Sequence, residues 1–203
     1  MTPEELRDKQ YERLIKARNF HYENLNKWLT FFYVAIGAIF AGFCTIYKEG
    51  SPNPKLVILV MAVLYLVSIC AYLSCKGYYY WENHWIVLLH DFERKYFAGK
   101  EDLRIYSVFA DKEKLHNPGN PVKGANVSTT KVSLFLTLAI AIISGAILIY
   151  CITKAIGCVC PMCKMYAIFV SFIESGVLTA IIALTGMCLL KSNLKNLDDL
   201  KLL

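Results

Sequence analysis

The stretch Trp28–Tyr47, WLTFFYVAIGAIFAGFCTIY, runs twenty residues without a charge. Leu56–Cys75, LVILVMAVLYLVSICAYLSC, repeats the pattern, and so do Val132–Thr153 and Met165–Leu190. At 1.5 Å of rise per residue, twenty helical residues cover about 30 Å, the thickness of the bilayer's hydrocarbon core. None of the four runs holds Lys or Arg in its interior, and only the last holds a carboxylate, Glu174. The surface helices of a soluble domain would instead be interrupted by polar positions at every turn. The chain therefore reads as an all-α polytopic membrane protein, with four transmembrane helices arranged as two hairpins. Its 203 residues are 56% hydrophobic, with a mean hydropathy of +0.41, which excludes a disordered or highly charged soluble class. The segment ahead of the first run is polar, and that run is too long and too late for a cleaved signal peptide, so the first span is expected to direct insertion.

Charge asymmetry sets the expected orientation. Of 22 Lys and Arg, six precede the first run, nine lie between the second and third, and three follow the fourth; each short turn carries only two. The positive-inside rule then puts both termini and the central segment in the cytoplasm of a bacterial inner membrane. The expected organisation is a cytoplasmic N-terminal helix over 1–27, a transmembrane hairpin over 28–75, a cytoplasmic helix and loop region over 76–131, a second hairpin over 132–190, and a cytoplasmic tail over 191–203. The outer turns are brief. Gly50, Pro52 and Pro54 stop one helix of the first hairpin and restart the next.

Helical extensions of the first and second spans are expected on the cytoplasmic side. Thr2-Pro3-Glu4-Glu5 is a helix start: Thr2 caps, Pro3 takes the first helical position, and Glu5 occupies the capping-box position. Leu6, Tyr11, Leu14, Ile15, Arg18 through its stem, Tyr22 and Leu25 form the expected packing stripe. The competing reading of this helix, a basic surface for anionic lipid or nucleic acid, is weakened by the interleaved acids Glu4, Glu5, Asp8, Glu12 and Glu23. Beyond the second span, Tyr78, Tyr79, Tyr80 and Trp81 suit a headgroup-level aromatic belt. Trp85, Leu88, Leu89, Phe92 and Tyr96 continue with helical spacing. Arg104–Phe109 suggests a short ordered piece, the stretch from His116 to Gly124 a rigid turn, and Ser128–Thr130 a cap for the third span. Asn126-Val127-Ser128 matches a glycosylation pattern but is expected on the wrong side for it.

Within the membrane, small-xxx-small patterns occur at Ala38/Gly42, Ala141/Gly145 and Gly176/Ala180, the spacing that lets helix backbones approach closely. A carboxylate such as Glu174 costs about 2.5–3.5 kcal/mol at depth and is expected to face a bundle interior, a wet cavity or a neighbouring subunit. Ser171, Ser175 and Thr179 are its expected hydrogen-bond acceptors if it is protonated. A ring of such residues would make a cation-selective constriction. Cys44, Cys70, Cys75 and Cys188 read as small packing residues. Cys151, Cys158, Cys160 and Cys163 crowd the second outer turn, where a Cys158–Cys163 disulfide competes with a thiolate metal site and with inert burial. His84 and His90, six residues apart, lie on different faces of one helix and lack metal-binding spacing. No cofactor is expected.

Three segments together carry a resemblance: ARNFHYENLNKWLTFFYVAIGAIFAGF, CKGYYYWENHW and PVKGANVSTTK. They resemble the RipA family of octameric bacterial inner-membrane proteins over residues 14 to 135. The resemblance implies a homo-oligomer, of eight subunits by the family's name, linked to envelope homeostasis and survival inside host cells; it supplies no active-site residues. The leading functional expectation is a non-enzymatic oligomeric scaffold or pore with a cytoplasmic region for an unknown partner or signal, and no nucleic-acid ligand. The alternative is a membrane effector of antiviral defence that perturbs the bilayer on a cytoplasmic signal. A lipid-modifying enzyme would have to use His84, His90, Asp91 and Glu93, the only polar constellation near the interface.

Overall fold

A computed structural model describes residues 2–48, 53–99, 128–157 and 164–189. All the secondary structure among them is helical: α1 (Pro3–Lys48), α2 (Pro54–Tyr96), α3 (Thr129–Ala155) and α4 (Lys164–Leu189). Each helix is long and apolar enough to cross a membrane. α1 and α2, with 46 and 43 residues, extend to about 65–70 Å at 1.5 Å per residue, roughly twice the hydrocarbon thickness. The all-α expectation with two extended helices is met.

The helix starts follow their local chemistry. The Thr2 backbone N–H donates to Glu5 Oε2 at 2.9 Å, and the Glu5 N–H donates to Thr2 Oγ1 at 3.2 Å. This is the reciprocal capping box that the sequence indicates. Asn53 Oδ1 accepts from the Lys55 N–H at 3.0 Å, with Pro54 at the first helical position. Ser128 Oγ accepts from the Lys131 N–H at 3.3 Å at the head of α3. α3 ends where Gly157 adopts φ +78°, a left-handed conformation that closes a helix without a Cβ penalty.

The chain divides into two compact units. One comprises the described residues of Met1–Val34 and Ser74–Leu136; the other comprises those of Ala35–Leu73 and Thr137–Leu203.

In the first unit, the polar ends of α1 and α2 pack as an antiparallel pair. Arg7, Tyr11, Leu14, Arg18, His21, Leu25 and Leu29 form the less exposed face of α1. Their spacing alternates between four and three residues, which keeps a seam facing a partner helix. Cys75, Tyr78, Glu82, Trp85, Leu89 and Glu93 form the answering face of α2, and Phe97, just past its end, continues it. Contacts run in opposite order along the two helices. The Arg7 guanidinium lies 5.5 Å from the Phe97 ring centroid, Tyr11 stacks on Phe92 at 5.6 Å, and His21 meets Tyr78 edge-on at 5.7 Å. Leu25 and Leu29 bury against Cys75, with Tyr33, Tyr78 and Leu134 around them. The expected stripe holds at Tyr11, Leu14, Ile15, Arg18 and Leu25 but is displaced at Leu6 and Tyr22. Leu6 and Tyr22 are exposed, and Arg7 and His21 take the seam. The three-and-four alternation fixes which neighbour faces inward, and hydrophobicity alone chose the wrong one at both places.

In the second unit, Tyr65, Ile69 and Ala141 form the core, with Leu73, Leu148 and Ile182 packed on it. α4 turns its small polar face inward: Ser171, Ser175 and Thr179 are buried. Ser175 Oγ donates to the Ile142 carbonyl at 2.7 Å, and the Tyr65 and Thr179 hydroxyls share a hydrogen bond of 3.0 Å. In hydrocarbon these bonds replace the hydration that small polar groups cannot obtain, and they hold neighbouring helices together.

Candidate functional site

The buried Ser171, Ser175 and Thr179 lie on one side of α4, and Glu174 lies on another. Glu174 is exposed, so the expected hydrogen bonds to those three hydroxyls do not form. Ser175 and Thr179 spend their hydroxyls on Ile142 and Tyr65. At the i, i+4, i+7 spacing of one helix face, Glu174 continues through Leu178, Ile181, Thr185 and Cys188, all exposed. Thr185 satisfies its own hydroxyl on the Ile181 carbonyl at 2.9 Å. The chain thus carries a carboxylate within an otherwise uncharged span, on a face that the described residues leave uncovered.

The three small-residue patterns divide in the same way. Ala141 is fully buried. A Cβ at Gly145 would collide with Ser175 Oγ and stand 2.7 Å from Tyr65 Cε2, so this pair serves packing inside the protomer. Ala38, Gly42 and Ala180 are exposed, and nothing lies within 4 Å of a Cβ built at Gly42 or Gly176. Only 6% of the most apolar stretch of α1 is buried.

The aromatic residues after the second span do more than mark a belt. Tyr80 points outward at 65% exposure, but Tyr78, Tyr79, Trp81 and Trp85 are all partly buried. Trp81 stacks on His21 at 6.3 Å with an interplanar angle of 15°, and Trp85 approaches the same imidazole at 6.2 Å. Burial raises the Tyr78 phenol above its ordinary pKa, so it stays neutral at physiological pH. Beside these rings lies a groove of about 440 Å³ lined by His21, Trp28, Ser74, Gly77, Tyr78 and Trp81. His21 Nδ1 and Trp85 Nε1 are buried and have no hydrogen-bond partner among the described residues. His21 escapes a reading by composition because a lone histidine among polar neighbours carries no spacing signal; its place in the four-three seam was the available clue.

A second cavity, of about 480 Å³, opens in the other unit among Phe43, Tyr47, Val57, Tyr150, Cys151 and Lys154. The Lys154 ammonium stands 5.9 Å from the Tyr47 ring centroid, a cation–π approach at the end of a span.

The polar set required for a lipid enzyme is not brought together. Glu93 is fully buried in the α1–α2 seam and accepts a 2.6 Å hydrogen bond from the Tyr11 hydroxyl. Asp91 is exposed and pairs with Arg94 at 3.3 Å, His90 is exposed, and His84 packs edge-on against Trp81. Among the described residues, no three His, Cys, Asp or Glu side chains cluster as metal ligands do. Glu82 accepts from Thr130 Oγ1 at 2.6 Å, which ties the head of α3 to α2. On the outer face of α1, Lys16 sits 2.7 Å from Glu12, and its hydrogen bond and charge hold that carboxyl below its ordinary pKa. Cys158, Cys160, Cys163, His116, Asn126 and the Arg104–Phe109 piece lie outside the described residues. Cys75 is buried, whereas Cys70 and Cys188 are exposed.

A model of the octameric membrane protein family matches residues 8–153. The chain belongs to the octameric membrane protein family. The matched span takes in nearly all of α1, all of α2 and all but the last turn of α3. It also contains the whole of residues 14 to 135, so the resemblance to octameric membrane proteins is borne out. The aromatic groove and the seam around it fall inside the family region; Glu174 and α4 fall after it. No curated protein matches this octameric membrane protein family member, and neither does any solved structure.

Proposed function

We propose that this chain is the protomer of a non-enzymatic homo-octamer in a bacterial inner membrane. The assembly is a scaffold or pore whose helical extensions lie in the cytoplasm and receive a partner or signal there. The exposure of Glu174 is the observation that carries the reading. A carboxylate within a span cannot be left against acyl chains without a cost of about 2.5–3.5 kcal/mol, so a neighbouring copy or a wet axial space must cover it. The uncovered face around Leu178, Ile181 and Thr185, the open small residues at Ala38, Gly42 and Ala180, and the bare span of α1 supply surface for such neighbours. The octameric family supports the same stoichiometry. The excess of cations in the extensions and tail supports a cytoplasmic placement.

Native mass spectrometry of detergent-extracted protein, paired with cation flux in liposomes, tests this. Wild type and Glu174→Gln should both register eight subunits, and the variant should change the flux. An unaltered flux removes the pore and leaves the scaffold; a monomer removes both. With the other cysteines replaced, Leu178→Cys should cross-link between copies in native membranes.

A further inference from the structure

In the second unit, the ends of α1, α2 and α3 enclose the cavity of about 480 Å³. Its walls grade from apolar to polar along the spans. Phe43 of α1, Val57 of α2 and Ile147 of α3 lie at its inner end; Tyr47, Pro54 and Lys154, nearer the ends of the same helices, lie at its mouth. Ile147, Tyr150, Cys151 and Lys154 keep the i, i+3, i+4, i+7 spacing of one helix face, so α3 alone carries this gradient over about 10 Å at 1.5 Å per residue. Val57 is buried, whereas Tyr47, Pro54, Lys154 and Ala155 are exposed, so the inner end is the less accessible one. The Lys154 ammonium stands 5.9 Å from the Tyr47 ring centroid. The ring attracts the cation and holds it at the mouth, but a π face offers no oxygen to its three N–H donors. In sequence, the two turns at this end of the spans are bounded by Lys48, Lys55, Lys154 and Lys164 and contain one acid, Glu49. Pairing of that acid with any one lysine still leaves the end positive. The occupant that matches these walls has an anionic head and an apolar tail. The volume falls within the range of small-molecule sites; it admits one long acyl chain and is too small for a whole two-chain phospholipid.

We propose that this cavity binds a long-chain fatty acid, with its carboxylate against Lys154 and its methylenes among Phe43, Val57 and Ile147. Tyr47 and Tyr150, which also line the space, bring further hydroxyl donors to the head. Beside hydrocarbon the effective dielectric is low, so the pairing of carboxylate with ammonium is stronger than it would be in water. The site requires only the three helix ends of one chain, and neither ion conduction nor a subunit number. Ala155 supplies the blocking probe: it lines the cavity and is exposed, so a large ring there occupies the mouth from outside the packed core.

The test is photo-cross-linking of the full chain in phosphatidylcholine nanodiscs by palmitate carrying a mid-chain diazirine, in alkaline buffer that keeps the fatty acid ionised, with adducts mapped by peptide mass spectrometry. In wild type the adducts should fall on the peptides holding Phe43, Val57 and Ile147, and unlabelled palmitate should compete them away where hexadecanol does not. Lys154→Met, which keeps an apolar stem and removes the charge, and Ala155→Trp, which blocks the mouth, should each lower this labelling about tenfold. Lys154→Arg should restore it, and Lys55→Met, an exposed cation outside the lining, should leave it unchanged. Equal labelling of wild type, Lys154→Met and Ala155→Trp overturns the proposal. So does equal competition by hexadecanol, because no charge would then be read. A loss in Lys55→Met as large as in Lys154→Met also overturns it, by assigning the effect to the diffuse positive potential of this end. Competition by phosphatidylglycerol in the disc as effective as by palmitate does so too, because the occupant would then be a two-chain bilayer lipid.

Discussion

Replacing Gly145 by alanine probes a close approach of α3 to α4 and to Tyr65 of α2 in the second unit. The added methyl would collide with Ser175 Oγ and lie 2.7 Å from the Tyr65 ring, both far inside van der Waals contact, so α4 or the tyrosine must move. Overpacking of this kind costs about 1–3 kcal/mol. The shift also strains the Ser175–Ile142 bond of 2.7 Å and the Tyr65–Thr179 bond of 3.0 Å, and interhelical bonds in membranes are worth about 0.6 kcal/mol each. Against this, alanine gains about 1 kcal/mol over glycine in helix propensity. The balance is a loss of about 1–3 kcal/mol. Gly42→Ala, with nothing within 4 Å of its Cβ, keeps the propensity gain and should be neutral or stabilising within the protomer. Denaturing-detergent titration followed by tryptophan fluorescence measures both. Adding Ser175→Ala to Gly145→Ala should recover about 1 kcal/mol through coupling between contacting sites. Gly145→Ala as stable as Gly42→Ala would refute the packing argument, because the propensity gain is common to both variants and only the clash distinguishes them.

Three further outcomes are expected. Tyr11→Phe removes a donor from the fully buried Glu93 carboxylate and should destabilise the α1–α2 pair by about 1–3 kcal/mol. Thermal melts should show this loss, while Tyr22→Phe, on the exposed side, stays within about 0.5 kcal/mol of wild type. Thr130→Val deletes the 2.6 Å bond to Glu82 and should cost about 1.5–3 kcal/mol, the range for hydrogen bonds to charged groups; hydrogen exchange at the head of α3 should rise with it. Glu12 has its folded pKa lowered below 4.5 by Lys16, so the pair's contribution is complete above that value and fades as pH falls through the folded one. Glu12→Gln should flatten any acid-side change in α1 helicity seen by circular dichroism, and an unaltered acid profile would sink the assignment.

Spans, caps and class were open to reading from the residues because they depend on local chemistry. Twenty uncharged apolar residues must be helical in lipid, since every backbone polar group there needs a partner within its own segment. Thr2, Pro3 and Glu5 form their capping box from three neighbouring positions, and Gly157 ends α3 through its own φ. The family signal lies in the same class of information, because it resides in short strings such as CKGYYYWENHW.

Side-chain direction was decided only by packing between helices. Arg7 replaces Leu6 and His21 replaces Tyr22 because the crossing of α1 with α2 fixes which positions face inward, whatever their polarity. Ser171, Ser175 and Thr179 share the face of α4 that packs inward, and the helical period then leaves Glu174 on another, exposed face. His21 carries no motif; its place in the seam shows only where Tyr78, Trp81 and Trp85, some sixty residues along the chain, pack around its ring. A hydropathy pattern constrains each helix on its own, whereas the unsatisfied nitrogens and the uncovered carboxylate arise from which helices meet.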